Sequence, residues 1–102
     1  MQTGTVFKAL ADPHRREILK ILRRGPLTAG ELADQFVLSK ATLSHHFRLL
    51  KEADLVRCEQ RAQQRVYSLN TTVFEDVAAM LMDVLGPEMK RTKSWKRSAD
   101  TG

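Results

Sequence analysis

The chain has one cysteine in 102 residues, Cys58, so an internal disulfide is excluded, and it carries neither a Cys-x-x-Cys pair nor a Cys/His cluster of zinc spacing. A reducing, cytoplasmic setting is expected. No apolar run approaches the roughly 18 residues of a spanning helix, and the N-terminus lacks a basic segment leading into an apolar one. Neither a membrane anchor nor a secretion signal is therefore expected. The parts of an enzyme are missing too: there is no nucleophile with a base and an orienting group, no Gly-rich phosphate loop and no obvious cleft with paired carboxylates. Low-complexity tracts and internal repeats are absent before the tail. What is present is enough chain for one domain with a modest core, dominated by helical periodicity. The formal charge of +5 suits a polyanion, but Lys90, Arg91, Lys93, Lys96 and Arg97 supply as much as the whole net total. Residues 1–86 are only slightly basic, and a sequence-specific binder needs a positive face more than a positive sum.

The most informative stretch runs from Thr28 to Leu55. Thr28 and Glu31 have the spacing of a capping box, which satisfies two backbone donors at a helix start. Ser39 is a good N-cap for a second helix over 40–53. Two short capped helices joined by a tight turn make a helix-turn-helix, and so a candidate for DNA binding. A helical wheel places Leu43, His46, Phe47, Leu49, Leu50 and Ala53 on one arc of the second helix. The opposite arc carries Lys40, Ala41, Ser44, His45, Arg48, Lys51 and Glu52. Small residues and donors on that face can enter a major groove and reach base edges and phosphates; the alternative is a solvated surface helix.

Downstream, LVRCEQ and RVYSLN read as a two-stranded hairpin over 55–69. Arg57 lies on the first strand, and Arg61, Gln63, Gln64 and Arg65 lie around the tip, where they can follow a phosphate backbone or an adjacent minor groove. The tip lacks Asn-Gly or Asp-Gly, which predicts a longer or more mobile turn. The fold class is thus mainly α with a small β-hairpin, a winged helix-turn-helix.

Val6, Phe7 and Leu10 suggest a first helix over residues 3–10, ending near Ala11. Asp12 and Pro13 cap and start a second helix, which Gly25 and Pro26 close. Arg15 and Arg16 fall in its first turn, where a cation is unfavourable, and phosphate contact would offset that cost. Solvated surface arginines are the other reading. Thr72 and Glu75 predict a further capping box for a last helix from Val73 to about Leu85, stopped by Gly86 and Pro87. Val73, Val77, Met80, Leu81 and Val84 form a stripe that Phe74, Ala78, Met82 and Leu85 widen beyond what one small domain covers. We expect N- and C-terminal helices to pack in a homodimer through Val6, Phe7, Leu10, Phe74, Val77, Ala78, Leu81 and Leu85. Residues 1–86 form the DNA-binding and dimerisation domain in this reading. Residues 87–102, with Trp95, form a basic flexible tail.

The phrases KALADPHRREILKIL, LTAGELADQF, SKATLSHHFRLLKEADLV and RVYSLN, in that order over residues 6–85, resemble the ArsR-type family of small winged-helix transcriptional repressors. LTAGELA, SHH and YSLNTTV resemble its autorepressor-type branch without metal sites. The resemblance implies a symmetric dimer on a palindromic double-stranded operator. Ser39, Lys40, Ala41, Thr42, Ser44, His45 and Arg48 would contact DNA, and an inducer, small molecule or protein, would release it. Ala33 and Gln35 stand where metal sensors of that family carry Cys-x-Cys, and Glu75, Asp76 and Asp83 lack a companion histidine. No metal site and no cofactor are expected. His46 is read as a packed core histidine and His45 as a base or phosphate contact favoured by acid, with a solvated role as the alternative. Cys58 is read as a small apolar residue.

Two other functions stay open at this point. One is a winged helix serving as a protein-interaction module, against which the outer arc offers no aromatic anchor. The other is a non-specific DNA binder driven by the tail, which truncation at residue 88 would abolish.

Overall fold

The computed structural model describes residues 2–86; the tail over 87–102, with Trp95, lies outside the described residues. Its elements run α1 (Thr3–Leu10), α2 (Pro13–Leu22), β1 (Leu27–Thr28), α3 (Ala29–Ala33), α4 (Lys40–Glu52), β2 (Val56–Arg61), β3 (Gln64–Leu69) and α5 (Thr71–Leu85). Helices α3 and α4 form the helix-turn-helix, and β2 and β3 form the wing.

Local chemistry sets most boundaries. The Asp12 carboxylate accepts from the backbone N–H groups of His14 and Arg15, and Pro13 occupies the first helical position of α2. Burial works against the charged form of Asp12, but those two N–H donors, together with the nearby charges of His46 and Arg15, hold its pKa below the usual value. The Thr28–Glu31 capping box forms with both reciprocal bonds, at 3.1 and 2.9 Å. Helix α4 starts at the Ser39 cap and ends in a Schellman motif: Asp54 has φ 58°, its N–H reaches Lys51 O at 2.9 Å, and Leu55 N–H reaches Leu50 O at 3.0 Å. Leu50 and Leu55 are both fully buried there, so the cap also closes an apolar contact that aims the chain into β2.

Three expectations are corrected. The wing turn is neither long nor irregular: Arg61 pairs with Gln64, leaving a two-residue connection in which Ala62 takes φ 54°. The hairpin also gains a third strand, since Leu27 and Thr28 pair with Tyr67 and Val66 to give the sheet order β1-β3-β2. Finally, Thr72 and Glu75 do not cap α5. The chain is pinned two residues earlier, where Asn70 N–H bonds Leu55 O at 3.0 Å and Asn70 O accepts from Val73 N–H, so the helix begins at Thr71 without a side-chain cap.

The core gathers Val6 and Ala9 of α1, Ile18, Leu19 and Leu22 of α2, Leu32 of α3, Leu43, Phe47 and Leu50 of α4, and Leu55, Val56, Tyr67, Val73 and Val77. Phe47 and Tyr67 stack with ring centroids 4.7 Å apart, tying α4 to the wing. Cys58 is half-buried against this core, as a small apolar residue would be. Val6 and Val77, expected at a dimer interface, are buried within their own chain instead. A wheel cannot separate core from interface when both are apolar.

Candidate nucleic-acid interface

The outer face of α4 is open. Lys40, Ala41, Thr42, Ser44, His45 and Arg48 are all exposed, while Leu43, His46, Phe47 and Leu50 are buried. The helix therefore presents its polar arc from a rigid, core-anchored base. At its start, Ser39 Oγ accepts from Thr42 N–H at 3.1 Å and donates to Thr42 Oγ1 at 2.8 Å, so both hydroxyls are engaged in the cap. Arg48 donates to His45 Nδ1 at 2.9 Å. Only a neutral ring can accept there, because an imidazolium donates from both nitrogens.

A groove of about 390 Å³ joins this helix to the wing, lined by Ser44, Phe47, Arg48, Lys51, Glu52, Arg65 and Tyr67. Three cations reach its walls, two from the helix and one from the strand. Tyr67 forms part of the floor; burial raises its hydroxyl pKa, and the Cys58 thiol adds to the shift. The helical wheel put Lys51 and Glu52 on the outer arc of α4 without assigning them a DNA contact, and the groove lining now includes both.

The wing distributes its polar groups over two faces. Cross-strand partners share a face, so Arg57, Glu59, Arg61 and Gln64 lie on one side, while Cys58, Gln60, Arg65 and Tyr67 lie on the other, towards α4. Arg61 is partly neutralised by Glu59 at 3.1 Å, and Arg57 donates to Asn70 Oδ1 at 3.4 Å. Gln63, Gln64 and Arg65 are exposed at the tip.

Arg15 requires a correction. It is 8% exposed, and its guanidinium donates to Ala9 O at 2.8 Å, Lys8 O at 3.0 Å and His46 Nδ1 at 3.2 Å. Arg16, although exposed, donates to Leu10 O at 2.7 Å. The two arginines sit in the first turn of α2, but they serve the orphan carbonyls at the end of α1, where a cation is favourable. A sequence wheel shows only the helix that carries them. Arg15 is a structural centre rather than a phosphate contact.

His46 is 5% exposed and neutral: burial lowers its pKa, and Asp12 opposes that only in part. Its expected place in the core is what the structure shows. Since a guanidinium only donates, Nδ1 accepts from Arg15 and the proton resides on Nε2, which has no partner among the described residues.

The comparisons with known proteins agree with this geometry. A helix-turn-helix domain family matches residues 10–59. The transcriptional repressor SdpR of Bacillus subtilis is 48% identical over 73 residues, covering 72% of this chain and 81% of that protein. The chain belongs to the ArsR family of winged helix-turn-helix transcriptional regulators. The arsenical resistance operon repressor of Staphylococcus aureus is 36% identical over 76 residues, covering 74% of this chain and 73% of that one. Among solved structures, an ArsR family transcriptional regulator superposes with a TM-score of 0.75 at 29% identity, covering 94% of this chain and 98% of that one. HlyU from Vibrio cholerae superposes at 0.66 with 30% identity, covering 80% and 89%. These relatives place the chain among regulators rather than enzymes. Among the described residues of this ArsR-family protein, no helix is long and apolar enough to cross a membrane.

Proposed function

We propose that the protein is a homodimeric, sequence-specific transcriptional repressor that reads a palindromic operator. The observation that carries the reading is the continuous exposed face of α4, from Lys40 through Ser44, His45 and Arg48, extended across the groove by Lys51 and Arg65. Helix α4 enters the major groove; Ser44, His45 and Arg48 meet base edges, and Lys40, Lys51 and Arg65 meet phosphates. Arg57, Arg61, Gln63 and Gln64 lie along the backbone or the neighbouring minor groove. The names of SdpR and the arsenical resistance repressors support repression as the direction of control. A cytoplasmic location and release by an inducer belong to the same reading.

Dimerisation is supported by α5, in which only Val73 and Val77 are buried among fifteen residues. Leu81, Met82, Val84 and Leu85 are exposed on this helix and Phe7 on α1, with Ala78 also open and Phe74 and Leu10 half-buried. Apolar side chains of this size on one helix mark a surface that a second copy covers. Two-fold symmetry then predicts half-sites about 34–36 Å apart, or a multiple of that.

The test is binding to the DNA upstream of its own coding sequence against a scrambled duplex, by fluorescence anisotropy with footprinting at stated physiological salt. A protected palindrome preferred about a thousandfold supports the reading. Equal, salt-sensitive affinity for every duplex in a genomic selection would overturn specificity.

A further inference from the structure

His46 lies more than thirty residues from Asp12 and His14 in the chain, but the fold brings one ligand-type atom from each of the three to within 4.8 Å of the others. Asp12 and His14 open α2, and His46 belongs to the recognition helix. His14 Nδ1 lies 3.8 Å from Asp12 Oδ1, and the His14 and His46 rings are 5.8 Å apart at their centroids. A second, independent observation concerns His46 itself. Among the described residues its Nε2 is buried with no hydrogen-bond partner, while the neighbouring buried polar groups of Arg15 are satisfied. Leaving such a group unpaired is unfavourable, and no atom of the described residues pairs with it.

We propose that Asp12, His14 and His46 bind a divalent transition metal of borderline softness, the Zn²⁺ class, bridging the start of α2 to the recognition helix. The donor set of two imidazoles and one carboxylate suits Zn²⁺, Co²⁺ or Ni²⁺ and leaves a fourth position for water. Hard cations such as Mg²⁺ prefer all-oxygen sites and are poorly matched. Asp12 brings the negative charge, since its two backbone N–H contacts stabilise the carboxylate. His46 is the immobile ligand. Zn–N and Zn–O bonds are about 2.0–2.2 Å long, so the donors must draw together; the exposed His14 and half-buried Asp12 side chains are free to do so.

Coordination has a definite cost. The Nε2 lone pair is released only if the ring proton moves to Nδ1, which faces a guanidinium donor of Arg15. Metal binding therefore exchanges the Arg15–His46 hydrogen bond for a metal bridge, while Arg15 keeps Lys8 O and Ala9 O. The inference stands apart from the operator reading, because a metal can occupy this site whether or not the protein represses.

The test uses the full chain without an affinity tag, titrated with Zn²⁺ against a chelating indicator and followed by the ¹⁵N resonances of its three histidine rings. The expected result is one metal per chain, with the His14 and His46 ring nitrogens shifted and the His45 ring unmoved. His14→Gln changes an exposed side chain, and Asp12→Asn retains a good N-cap, so both variants should melt as the parent does in chelator. Each should weaken Zn²⁺ binding by at least about tenfold, whereas His45→Gln should not. Unaltered Zn²⁺ affinity in His14→Gln, a response of the His45 ring in place of His46, or no Zn²⁺ binding by the parent overturns the proposal.

Discussion

Replacing Arg15 with methionine separates the two roles that residue could have. The substitution keeps an apolar stem of similar length and removes the guanidinium's own donations to Ala9 O, Lys8 O and His46 Nδ1. Hydrogen bonds from a charged group contribute roughly 1.5–3 kcal/mol each. Lys8 O retains a second donor, Ala11 N–H at 3.3 Å, so two bonds count in full. We expect a loss of about 4 kcal/mol, a large share of the roughly 5–15 kcal/mol that holds a domain together. For a domain of this size that lowers Tm by roughly 15–30 °C. Lysine should not rescue it, because one ammonium cannot reproduce a planar fork directed at separate acceptors. Urea and thermal unfolding followed by circular dichroism, at fixed protein concentration, measure the effect. If Arg15 were a surface phosphate contact, stability would change by no more than about 0.5 kcal/mol and the salt slope of DNA binding would fall by about one. An unchanged unfolding midpoint with weakened DNA binding would refute the structural role.

Ser44→Ala or Arg48→Ala should reduce discrimination between operator and random DNA by about 1–3 kcal/mol for each base-edge hydrogen bond removed, measured as the ratio of the two affinities; equal weakening on both would assign the residue to phosphates. Leu81→Glu should weaken dimerisation and operator binding together, and sedimentation showing an intact dimer of the folded variant would remove α5 from the interface. The raised pKa of Tyr67 makes its contribution to stability fully present below about pH 10, where the unfolded phenol begins to ionise, and lost as pH rises through the higher folded value. Because Tyr67 is the sole tyrosine, phenolate absorbance reports it directly, and Tyr67→Phe should abolish that part of the alkaline transition.

The helix-turn-helix was legible because its signals are local. Thr28 with Glu31, Ser39, and Asp12 with Pro13 each act within one helical turn, and all three cap as their spacing predicts. The apolar arc of α4 is equally local: five of the six positions that the wheel selects, Leu43, His46, Phe47, Leu50 and Ala53, are buried, and Leu49 is half-buried. The Thr72–Glu75 box had the same spacing and failed, because a tertiary bond from Asn70 to Leu55 decided where α5 begins. The wing turn was misread for a related reason: strand pairing on both sides of the tip imposes a positive φ on Ala62 that its own preference would avoid.

What the sequence by itself determined is the set of elements whose cause lies within a few residues: capped helices, their apolar faces, the two wing strands and the resemblance carried by their order. Only the tertiary structure decided what chain-distant groups do to one another. It turned Arg15 inwards to the carbonyl end of α1, placed β1 beside β3, joined Arg65 to Arg48 and Lys51 across one groove, and brought Asp12, His14 and His46 together. The physical reason is that burial and hydrogen-bond satisfaction are settled by whichever element packs opposite, and a one-dimensional pattern records a residue's own helix but not its neighbour.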